Sequence, residues 1–110
     1  MSNLDVQKIG GMMSQAFLGS LGKSAPSVAT YAKTEFSHIA SWMRTLAEQT
    51  SSGAVSQEQA RLLLNMQVLA VQNVFLTIEG LGLLAVERAI NAAIDSVRGV
   101  VNGAIGFALL

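Results

Sequence analysis

Cysteine is absent, so the chain has neither a disulfide framework nor a thiolate metal site, which fits a reducing compartment; the expected location is the cytoplasm or a place as part of an assembled particle. Charge is sparse at 13% of residues, against an ordinary quarter of a globular chain. The seven basic residues are balanced by seven acidic ones and stand singly, with no stripe that would follow a phosphate backbone. Nucleic acid is therefore excluded as the expected partner. A single histidine leaves little for histidine-based catalysis. No Gly-x-Ser-x-Gly motif and no cysteine nucleophile occur, so no catalytic residue is assigned and no cofactor is expected. The N-terminal apolar stretch is interrupted by Ser14, Gln15 and four glycines and preceded by Asp5, a poor match to a signal peptide.

What remains is apolar: 51% of the 110 residues are hydrophobic. A single domain of that length buries roughly two thirds of the surface of its unfolded chain. The excess predicts cover from a partner, most simply a second copy.

The apolar positions follow helical spacing. Leu4, Ile9, Met13, Ala16 and Phe17 predict a short helix over about 3–18, opened by Ser2 and Asp5 and ended by Gly19 and Gly22. Pro26 suits a first helical turn, and Val28, Ala32, Phe36, Ile39, Met43 and Leu46 make one stripe of a second helix over about 26–49. A turn over 50–56 precedes the capping pair Ser56 and Gln59. From there a long, strongly apolar helix is expected over about 57–98 or beyond, with Gly80 to Gly82 as the place for a break. The fold class is all-α, a single domain whose helical hairpin packs as an oligomeric bundle. At ~1.5 Å per residue the long helix would exceed about 60 Å, more than an intramolecular hairpin covers. Its far half must find helix 1 or another copy.

Gly80, Gly82 and Ala85 match the Gly-x-Gly-x-x-Gly/Ala form of a dinucleotide-binding turn, but no acid follows Asp95 and no chain is left for a sheet. A packing seam accounts for more residues. Small side chains recur at Gly82, Ala85, Ala89, Ala92, Ser96, Gly99, Gly103 and Gly106, in steps of 3, 4, 3, 4, 3, 4 and 3. That heptad spacing keeps one line toward one partner helix, and small residues let two backbones approach closely. Larger side chains from Leu83 to Ile105 make a second apolar line beside it.

The expected function is a self-assembling structural subunit of a ring, tube, filament or shell, held through this seam and through Phe36, Ile39, Trp42 and Met43. Glu79, alone in 25 residues between Arg61 and Glu87, is expected to form an interface ion pair. Two alternatives stand beside this. The charge-free run 99–110 is too short to span a bilayer but suits contact with a membrane in a membrane-active or pore-forming protein. Glu35-x-x-His38 has the spacing of a di-iron-like metal-binding bundle, which would need further ligands from Glu79 or a second copy.

Overall fold

The computed structural model describes residues 4–22, 26–78 and 80–110, which form four α-helices: α1 (Val6–Leu21), α2 (Pro26–Ser51), α3 (Gln57–Leu76) and α4 (Leu83–Ile105). No strand occurs among the described residues. α1 lies in the middle, with α2 on one side and α4 on the other, while α3 runs back along α2 and touches α4 only lightly. The molecule measures 43 × 22 × 18 Å.

Local chemistry sets each boundary. The Asp5 carboxylate accepts the Lys8 backbone N–H at 3.1 Å and caps α1, so the helix begins at Val6, after the expected start, while Ser2 lies outside the described residues. α1 also runs past Leu18 to Leu21. Gly22, at φ 71°, is the glycine that closes it, since the left-handed conformation costs glycine no Cβ clash. Ser56 and Gln59 form both bonds of a capping box, the Ser56 hydroxyl accepting from Gln59 N at 3.0 Å and the Gln59 amide oxygen accepting from Ser56 N at 2.8 Å.

The long helix expected from Gln57 is two helices. α3 stops at Leu76 with Thr77 as its cap, Gly80 takes φ 88°, and Gly82 is the extended N-cap of α4. The break starts earlier than Gly80 and turns α4 back onto α1. Helix 1, rather than another copy, therefore covers the far half of this segment.

Three phenylalanines knit the core. Phe17 of α1 stands 5.2 Å from Phe36 of α2 and 4.3 Å from Phe75 of α3, centroid to centroid, in the tilted and stacked arrangements that aromatic rings favour. The second apolar line of α4 completes this core, with Val86, Ile90, Val97 and Val101 buried. Close helix approach occurs at a glycine outside the seam: a Cβ on Gly10 would lie 3.2 Å from the Ser37 Cα and 3.4 Å from the Phe36 carbonyl oxygen. Glycine at this position lets α1 sit against the α2 backbone.

Candidate assembly surfaces

α3 buries Ala60, Leu64, Val71 and Phe75 on one side. The positions diametrically opposite on a helix of 3.6 residues per turn are Leu62, Met66, Leu69 and Asn73. Leu62 and Met66 are each 63% exposed and Leu69 57%, and Leu63 and Ala70 flank them in solvent. No charged side chain stands on that line; Glu58 lies at its N-terminal end, and Arg61, to one side, donates to the Ala108 carbonyl at 3.0 Å. A surface helix ordinarily places its charge on this side, whereas one that is apolar all round is buried. α3 therefore has one face in the chain's own core and, opposite it, an uncharged row of Leu62, Met66 and Leu69 in solvent that ends at Asn73.

The small-residue seam of α4 lies mostly in the open. Ala89 is buried, Ala92 and Ser96 are half-buried, and Gly82, Ala85, Gly99, Gly103 and Gly106 are exposed. A Cβ on Gly82, Gly99, Gly103 or Gly106 would meet nothing within 4 Å. The reason is one of period. A heptad line drifts about 20° per heptad around a straight α-helix, so the seam crosses the covered side of α4 only from Ala89 to Ser96 and lies open at Ala85 before it and from Gly99 onward. The buried line follows the true helical period instead. Gly106 has a separate duty, closing α4 at φ 84° with its N–H donated to the Asn102 carbonyl.

Phe36, Ile39 and Met43 are fully covered inside one chain, so the open surface does not include them. Trp42 is 38% exposed and Tyr31 49%, both on the outside of α2. His38 Nδ1 stands 3.7 Å from a Glu35 carboxylate oxygen, with His38 well exposed, the geometry of a weak surface pair. Glu79 lies outside the described residues, and among those described no group of three His, Asp or Glu side chains is placed to hold a metal. Asp95 pairs with Arg98 one turn on.

The C-terminal segment folds back rather than projecting. Past Gly106, the Asn102 amide oxygen accepts from the backbone N–H of Leu109 at 3.1 Å and of Leu110 at 3.0 Å. Leu109 is buried beside α3 and α4, closing one end of a cleft of about 290 Å³ lined by Leu64, Val68, Ile90 and Ile94. Among the described residues no helix is long and apolar enough to cross a membrane.

Sequence reasoning passed over the outward line of α3, although Leu62, Met66 and Leu69 stand at steps of 4 and 3 opposite the buried set. The signal was hidden by treating residues 57–98 as one helix with a uniformly apolar character. No protein-family model, curated protein or solved structure matches this chain.

Proposed function

We propose that this protein is a structural subunit that assembles with copies of itself, working by association rather than by turnover. The observation that carries this is the outward face of α3, where Leu62, Met66 and Leu69 stand more than half exposed on a line without charge. Each such side chain gains roughly 1.5–3 kcal/mol when fully buried, and a contiguous row of them marks a site of association. The open glycines of the seam on α4 offer a second surface, suited to close approach by another helix.

Protein fits this surface better than lipid. Helices that lie on membranes border their apolar face with lysine and arginine, and the only basic residue of α3, Arg61, is engaged by the Ala108 carbonyl. Light scattering over a range of concentrations tests the reading. A mass that rises to a discrete or growing oligomer in plain buffer supports it, while a monomer in buffer that sediments with liposomes would replace it with membrane binding.

A further inference from the structure

The outward row of α3 reads nearly the same in both directions. Leu62, Met66 and Leu69 stand at steps of 4 and 3 with Met66 in the centre. An antiparallel copy of α3, set with Met66 opposite Met66, therefore brings Leu62 opposite Leu69 and Ala70. A parallel copy would set Glu58 against Glu58 and Arg61 against Arg61, the only charged residues of this helix, and would align the two macrodipoles unfavourably.

Beside this row runs an open cleft. α3 and α4 touch only lightly, and adjoining hollows of about 290 and 390 Å³ between them share Asn65, Val68, Ile90 and Asn91. Val68 and Ile90 are covered, while Asn65 and Asn91 stand exposed at the edges. Leu69 belongs both to the row and to the cleft. Arg61 lines one end of the cleft and Glu87 the other. Glu87 is half-buried there and forms no ion pair with a described residue. Resting on the self-assembly reading, we infer that two copies of this chain pair about a two-fold axis at Met66, with their α3 helices antiparallel, the α3–α4 clefts side by side, and Arg61 of each copy against Glu87 of the other.

An isologous contact must be self-complementary, and both the row and the charges meet that condition. The axis lies across the helices, so the cleft sides of the two copies fall together. Arg61 of one copy arrives at the level of Val71 of the other, beside Gln72 and Glu87, and symmetry makes the pair twice. Glu58 travels with Arg61 and Arg88 follows Glu87, so each side of this meeting presents one acid and one base. The area suffices as well: α3 has 20 residues, and a face two helices wide and about 30 Å long covers roughly 600 Å², at the lower bound of what a specific interface takes from each partner.

Single cysteines test the axis, because the chain has none of its own. Leu62 and Met66 are equally exposed at 63%, so chance collision would link either position to itself alike. On the two-fold axis only position 66 meets itself. Two copies of position 62 would lie about 12 Å apart along the helices at ~1.5 Å per residue, beyond the reach of a disulfide. Under mild oxidation the Met66→Cys chain should become a covalent dimer, while the Leu62→Cys chain should link only when mixed with a Leu69→Cys chain. Charge reversal gives a second readout by light scattering. Arg61→Glu and Glu87→Arg should each weaken the dimer about tenfold or more as like charges meet, and the two together should restore it. The combined chain does not regain the Arg61 bond to Ala108, so its recovery reports the pairing between copies. An assembly in which position 66 links no better than position 62, or in which the combined reversal rescues nothing, overturns this pairing while leaving self-assembly intact. A parent that stays a single chain at every concentration overturns both.

Discussion

Gly10 and Gly11 are adjacent glycines with opposite physical roles, and substituting each shows the difference. Gly11 has open space where a Cβ would go, so Gly11→Ala should stabilise the fold by about 0.5–1 kcal/mol through helix propensity alone. At Gly10 the same methyl would press on the Ser37 Cα. Overpacking against a helix backbone costs about 1–3 kcal/mol, so Gly10→Ala should lower the thermal midpoint where Gly11→Ala raises it. Thr50 offers a converse case. Its hydroxyl oxygen is buried with no hydrogen-bond partner, and an unmade bond of that kind costs about 1–3 kcal/mol. Thr50→Val keeps the branched shape and removes the polar atom; it should stabilise by about 1 kcal/mol, read from urea midpoints. Neither feature was legible in the sequence. A glycine in a helix looks like a weakness until the neighbouring backbone is located, and a threonine near a helix end looks exposed until the chain folds over it.

At the scale of the element, the helices and their caps were readable because they depend on near neighbours. The Ser56 and Gln59 pair opened a helix where expected, and the stripe from Val28 to Leu46 became core. The turn at 77–82 was read too weakly, since leucine, alanine and glutamine dominate both sides and only Gly80 and Gly82 signal the reversal. Missing it inflated the length of helix left uncovered and hid the return of α4 to α1. The seam on α4 was visible as a pattern, but a pattern of small residues does not say which neighbour it meets. A direct check is the double substitution Gly99→Leu with Gly103→Leu. Both positions are open in the chain's own fold, so helix content and thermal stability should hold or rise slightly as glycine is removed. If the seam joins subunits, the assembly should be lost, and an assembly equal to the parent's would remove the seam from the interface. The C-terminal segment makes a separate prediction. Asn102→Ala would strip the acceptor from two backbone N–H groups, costing about 1–3 kcal/mol. Amide exchange at Leu109 and Leu110 should speed up well before that of α1.

For the whole molecule, the proposed self-association can be tested separately from stability. The composition predicts a partner, because one domain of this length leaves part of its apolar surface uncovered. The fold builds its core by placing α1 between α2 and α4 and leaves large apolar side chains in solvent on α2, α3 and α4, with Leu62, Met66 and Leu69 forming an uncharged row on the outward side of α3. That row gives a clean experiment. Leu62→Glu combined with Leu69→Glu replaces two exposed leucines with a strong helix former on a solvent-facing line, so the stability of the single chain should change by no more than about 0.5 kcal/mol per site. In an assembly the same carboxylates would be buried against an apolar partner, where an unpaired charge is strongly disfavoured. Losing even about 1.4 kcal/mol per site weakens association roughly tenfold each. The expected result in light scattering is a mass limited to one chain, at an unchanged thermal midpoint. A large assembly that tolerates both glutamates would show that the outward face of α3 is not where copies meet.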